Sequence, residues 1–152
     1  ITIGDWSSDV CSSDLLIKLN IEATDWEDAV RKAAQPLLDA GKVKQSYVDD
    51  IIVGAKESGP YFVLAQHVAL PHARPEAGAL ESAIGIATLK TPVEFGSEAN
   101  DPVKYLFCLS ARNNTEHLEA LADLAERLED ENFFKMLDNA TGAEEVLAYL
   151  NK

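Results

Sequence analysis

The hydrophobic period of this chain changes three times along its length, and those changes limit what it can fold into. After a short alternating stretch, "LLIKLNIEA" (residues 15–23), with the period of a half-buried strand, the pattern becomes helical. "TDWEDAVRKAAQPLLDAG" offers Thr24 or Asp25 as an N-cap, places Trp26, Ala29, Val30, Ala33 and Leu37 at helical spacing, and stops at Gly41. Pro36 is expected to kink its last turn. A second helix is predicted from Ser46 through about Ser58, ended by Gly59-Pro60.

From Tyr61 the period is lost. "YFVLAQHVAL", "AIGIATLK" and "VKYLFCLSA" are apolar runs of strand length, rich in β-formers, and "TPVEFGSEANDP" between the last two reads as a loop with a brief strand at Val93 to Phe95. After Arg112-Asn113 helical spacing returns. "TEHLEALADLAERL" puts Leu118, Leu121, Ala125 and Leu128 on one stripe, "ENFFKMLDNA" is a short helix, and "TGAEEVLAYLNK" closes the chain. Helices before and after a cluster of strands predict an α/β sheet covered on both faces.

With 152 residues, 47% hydrophobic and 26% charged, one domain with a real core is expected. The head does not fit that domain. "ITIGDWSSDVCSSDLL" repeats SSD, has no Lys or Arg and shows no amphipathic period, and "DWSSDVCSSDL" resembles the translation of a common sequencing adapter. Residues 1–15 are therefore read as an artefactual or disordered head, and 16–152 as the domain. Without the head, 13 basic face 23 acidic residues, so a formal charge of −13 becomes −10. Either value argues against nucleic acid, whose binding needs clustered cations, and suits a basic protein partner. No run approaches the eighteen or so apolar residues of a membrane span, so a cytoplasmic protein without membrane insertion is expected. Of the two cysteines, Cys108 lies in an apolar run and reads as a small buried hydrophobe.

The chemistry is concentrated in histidines. His72 follows Pro71 at the end of an apolar run and the start of a polar loop, and prolines at 71 and 75 restrict Leu70 and Arg74 to extended geometry. A ring held that way is a better nucleophile than a mobile one. His67, five residues earlier in what reads as one extended strand, should point to the opposite face, so a His67/His72 metal pair is disfavoured and His67 is expected to be a bystander. The ligand spacings of a zinc site are missing as well. His117 falls in the first turn of the helix begun by "NNTEHLEAL", with Asn113, Asn114 or Thr115 as its N-cap, where free N–H groups favour an anion. Arg74 and Arg112 lie near each histidine in sequence. An imidazole can attack phosphorus at neutral pH, and guanidiniums with helix N–H groups can hold the phosphoryl oxygens. No nucleotide-binding loop is present, so the expected donor is another phosphoprotein.

"GPYFVLAQHVALPHARPEAG", "PVEFGSEANDPVKYLFCLSA", "EHLEALADLAERLEDENFF" and "ATGAEEVLAYL" resemble, in order and at family spacing, the enzyme IIA domain of the bacterial phosphoenolpyruvate-dependent sugar phosphotransferase system, fructose and mannitol superfamily, nearest to its ascorbate-type branch. The resemblance implies a three-layer sandwich with a mixed sheet. It also implies a phosphocarrier, without cofactor or metal, that takes phosphate from the histidine of HPr and passes it to the cysteine of a cognate enzyme IIB. Under it, His72 in "PHAR" matches the phosphorylated histidine and His117 the second active-site histidine. Arg74 matches the arginine of "PHAR", and Lys56 falls where mannitol-type members carry an arginine. Phosphate binding is thus expected from Arg74, Lys56 and Arg112. Gln66-His67 departs from the Pro-Gly usual in that branch. Two other readings compete: a regulatory protein similar to the nitrogen-related branch, signalling by histidine phosphorylation and protein binding, and, remotely, a metal-dependent hydrolase.

Overall fold

The computed structural model describes residues 17–59, 61–81, 83–111, 113, 115, 118, 122, 125–126 and 128–150. Strand β1 (Ile17–Ile21) leads into helix α1 (Trp26–Asp39), which is capped by Asp25: its carboxylate accepts from the Asp28 N–H at 2.8 Å. The helix runs past Pro36, and Gly41 takes the left-handed φ of +74° that closes such an end. Helix α2 spans Gln45–Ser58.

Where one apolar strand was expected over 61–70, the chain instead makes a tight hairpin. Strand β2 (Val63–Ala65) turns through Gln66 and His67 into antiparallel β3 (Val68–Ala69). Strand β4 covers Ala83–Val93, so of the brief strand expected at 93–95 only Val93 is in a strand, as the last residue of β4, and β5 covers Val103–Ser110. The sheet order is β1-β4-β5-β3-β2, with β1 parallel to β4, β4 antiparallel to β5 and β5 parallel to β3, which makes it mixed. Helices α3 (Glu131–Asn139) and α4 (Ala143–Leu150) end the described chain.

Alternation along β5 divides the core into two layers. Leu106 and Cys108 pack against α1 and α2, while Tyr105, Phe107 and Leu109 pack against Phe133, Leu137 and Val146 of α3 and α4. The result is the three-layer α/β sandwich, with helices on both faces. In β1 the alternation slips at Asn20, whose φ of +56° inserts an irregularity, so Ile17 and Leu19 face the second layer and Ile21 the first. Cys108 is fully buried, and burial pushes its thiol up to about 12, which makes it a packing residue.

Of the stripe expected on Leu118, Leu121, Ala125 and Leu128, Leu121 lies outside the described residues. Thr115, Leu118, Ala122, Ala125, Glu126 and Leu128 are helical, but Leu118, at 66% exposure, and Ala125 face solvent, whereas Leu128 packs on the second layer. Ten residues place Leu128 about 80° round the helix from Leu118, enough to separate a packed edge from a bare one.

Candidate functional site

The loop after β3 carries His72 and is fixed by hydrogen bonds drawn from three directions. The Leu70 N–H donates to the Phe62 carbonyl at 2.8 Å, and the Leu109 N–H of β5 donates to the Pro71 carbonyl at 2.9 Å, carrying the parallel pairing of β3 and β5 one step beyond the strand. Two tyrosines hold the next peptide. The Tyr61 hydroxyl donates to the His72 carbonyl at 2.5 Å, and the Tyr47 hydroxyl accepts from the Ala73 N–H at 3.1 Å while donating to the Leu109 carbonyl at 2.6 Å. Beyond it, Ser46 donates to the Ala77 carbonyl and the Lys44 N–H to the Gly78 carbonyl, so the start of α2 also anchors the far side of the loop.

The imidazole of His72 is half-buried, and its Nδ1 lies 2.6 Å from the Leu70 carbonyl. A carbonyl can only accept, so Nδ1 carries the proton and the ring's in-plane lone pair is on Nε2. Tyr61 packs edge-on against this ring, with centroids 5.5 Å apart and planes at 85°. It ends a row of aromatic contacts running from Trp26 through Phe95 and Phe62 to Tyr61. Burial, with the nearby Asp50 carboxylate, pushes the Tyr61 phenol up to about 12. It is therefore a neutral donor across the physiological range. Burial raises the Tyr47 phenol further still.

The other predicted residues fall in different places. Arg74 is exposed, two residues beyond His72, where its carbonyl accepts from the Ala77 N–H to open the 3-10 turn Pro75–Ala77. Lys56 is engaged by Glu27 of α1 at 2.8 Å. It lies about 200° round α2 from Gly54, the residue that faces the Tyr61 ring. His117 and Arg112 lie outside the described residues.

His67 is not on an extended strand, so the opposite-face argument drawn from its spacing to His72 does not hold. It occupies the hairpin turn with φ +67°, and its Nδ1 lies 2.7 Å from the Pro102 carbonyl. Its N–H donates to the Asn100 carbonyl, and its carbonyl accepts from the Lys104 and Tyr105 N–H groups. The turn needs a residue at positive φ, which glycine adopts freely and histidine adopts here because the neighbouring loop binds it. Tyr47 and Tyr61 were missed as site residues. A buried tyrosine signals that its hydroxyl has a partner, but spacing alone does not say which.

The site is thus a half-buried histidine with its Nδ1 proton fixed, just past the end of a strand that runs parallel to its neighbour in a mixed three-layer sheet. Residues 12–152 match the family "Phosphoenolpyruvate-dependent sugar phosphotransferase system, EIIA 2", and the chain belongs to it. It is a phosphotransferase component of that system. The ascorbate-specific PTS system EIIA component of Salmonella choleraesuis is 36% identical over 137 residues, covering 90% of this chain and 89% of that protein. Among solved structures, a PTS IIA (PtxA) of Streptococcus mutans aligns with a TM-score of 0.86 at 33% identity, over 94% of this chain and 91% of its own. The enzyme IIA of the Escherichia coli mannitol system, solved in complex with phosphorylated enzyme IIB, aligns at 0.78 with 30% identity, over 90% and 94%. Among the described residues no helix is long and apolar enough to cross a membrane.

Proposed function

We propose that this chain is the phosphocarrier of a sugar phosphotransferase system, accepting a phosphoryl group on His72 from phospho-HPr and passing it to the cysteine of a cognate enzyme IIB. What carries the proposal is the bond from His72 Nδ1 to the Leu70 carbonyl, which leaves the nucleophilic lone pair on Nε2. In the first step that lone pair forms the new P–N bond as the donor's P–N bond breaks, and the donor nitrogen keeps its electron pair. The His72 ring keeps its Nδ1 proton and becomes cationic, and the Leu70 carbonyl stabilises the charge through the same hydrogen bond. In the second step the thiolate of enzyme IIB attacks phosphorus, the P–N bond breaks, and the neutral Nδ1–H imidazole returns.

In this scheme His117 steadies the phosphoryl group, and Arg74 and Arg112 supply guanidiniums to its oxygens. Lys56 could join them only by leaving Glu27. The protein works in the cytoplasm. The names of the relatives support ascorbate as the transported sugar, and the sugar itself would be bound by the membrane component. The test is incubation with phosphoenolpyruvate, enzyme I and HPr, followed by mass spectrometry. The expected result is a single acid-labile phosphate mapped to His72. A label on another residue, or no label, overturns the proposal.

A further inference from the structure

We propose that Tyr61 is a positioning residue for the chemistry at His72, acting as one jaw of a two-phenol clamp on the peptide that joins His72 to Ala73. This rests on His72 being the phosphorylated group. Both ends of that one peptide are held by phenols: Tyr61 donates to its carbonyl at 2.5 Å and Tyr47 accepts from its N–H at 3.1 Å. With Leu109 bonded to the Pro71 carbonyl, the backbone on both sides of the His72 Cα has its rotation restricted. The two jaws differ in kind. Tyr47 is buried in the core and its hydroxyl also bonds β5, so it is part of the frame. Tyr61 is 37% exposed and contributes less to the core, yet its hydroxyl and its ring edge both meet the same histidine.

Helix α2 sets where Tyr61 lies. Gly54 faces the ring so closely that an added Cβ would stand 3.3 Å from Cε1 of Tyr61 and 3.7 Å from its hydroxyl. The missing side chain gives the ring room to lean on the helix and reach His72. Releasing the clamp frees the 72–73 peptide to rotate. That rotation swings the imidazole off the Leu70 carbonyl and loosens both the tautomer and the aim of Nε2, on which an in-line transfer depends.

Two variants separate positioning from packing. Tyr61→Phe keeps the ring edge and removes the hydroxyl. Gly54→Ala keeps every hydrogen-bonding group and improves helix propensity, while crowding the ring. Each is measured by single-turnover phosphorylation from phospho-HPr across donor concentrations, by thermal melting, and by ¹⁵N NMR of the histidine side chains. For Tyr61→Phe the saturating rate is expected to fall about tenfold with the half-saturating donor concentration unchanged, the loss typical of a misaimed reacting group. The His72 nitrogen shifts should move from one Nδ1–H tautomer toward a mixture. Gly54→Ala should slow transfer in the same way without lowering the melting temperature. The proposal is overturned by a Tyr61→Phe protein with wild-type rate and tautomer, or by one whose rate loss follows its melting temperature while the tautomer stays intact. If the unaltered protein takes no phosphate on His72, the phosphocarrier function falls, and the NMR comparison still decides whether Tyr61 sets the ring.

Discussion

His72 and His67 make the same local contact and gain opposite properties from it. In each, ring Nδ1 meets a backbone carbonyl, at 2.6 Å from Leu70 for His72 and at 2.7 Å from Pro102 for His67. The His72 bond closes within its own loop, so it orients the ring without tying the loop to anything else; other groups hold the backbone. The His67 bond spans 35 residues and joins the β2–β3 turn to the segment before β5, with the His67 N–H and carbonyl adding further ties. A short-range ring bond aims a side chain, whereas a long-range one fastens two segments. The partner's position in sequence, more than the residue type, separates a histidine whose ring is aimed from one that ties segments together.

The largest effect that would break this contrast concerns labelling. His72→Ala should abolish acid-labile phosphate incorporation, and His67→Ala should leave it in place. Equal loss in both would make His67 part of the chemistry. Next comes stability. His67→Val forces a β-branched side chain into the left-handed region and removes the tie to Pro102, and urea unfolding should show a loss of about 2 kcal/mol. His67→Gly sharpens the point, because relief of the backbone offsets the lost hydrogen bond and the added freedom of the unfolded chain. A change within about 1 kcal/mol is expected there.

The smallest effect is acidic loosening on the His67 side. Partial burial alone would raise the Asp138 carboxyl, but the Lys104 ammonium and the Tyr105 hydroxyl, each 2.6 Å away, outweigh it and hold the group below its ordinary value. A depressed carboxyl stabilises the fold above its unfolded pKa and loses that contribution as the pH falls through the folded one. Lys104 and Tyr105 also bond the His67 carbonyl. Amide exchange at those two residues, taken relative to the intrinsic rate at each pH, should therefore quicken below about pH 4. In Asp138→Asn it should already be faster at neutral pH and respond less to acid. Exchange that is identical in the two proteins across this range would remove Asp138 from the account.

Most of the frame was legible in the chain. Asp25 as a cap, Gly41 as a stop, the second helix and the strands at 83–90 and 103–110 follow from periodicity and terminal chemistry, which act over a few residues. The placing of His72 just past a strand end was legible because its prolines and the apolar run before it are local too. The hairpin was not, because Gln66-His67 lacks the usual turn residues and its conformation is held by Asn100 and Pro102, more than thirty residues away in sequence. The exposed face of Leu118 escaped for a related reason: a helical stripe says which residues share a side, and only the rest of the fold says whether that side is covered. Tyr61 and Tyr47 were hidden because their partners are backbone atoms, which carry no signature in sequence.

The row of rings from Trp26 to His72 has a further consequence. Because interiors are filled nearly to crystal density, side-chain size along this row is felt by its neighbours. Shrinking Phe62, which is wholly enclosed, removes the backing of Tyr61 and leaves a void one contact from the imidazole, although Phe62 itself has no atom that could take part in the reaction. Evolution or a protein engineer could thus shift the setting of this imidazole with methylene groups alone, leaving every polar atom around it unchanged.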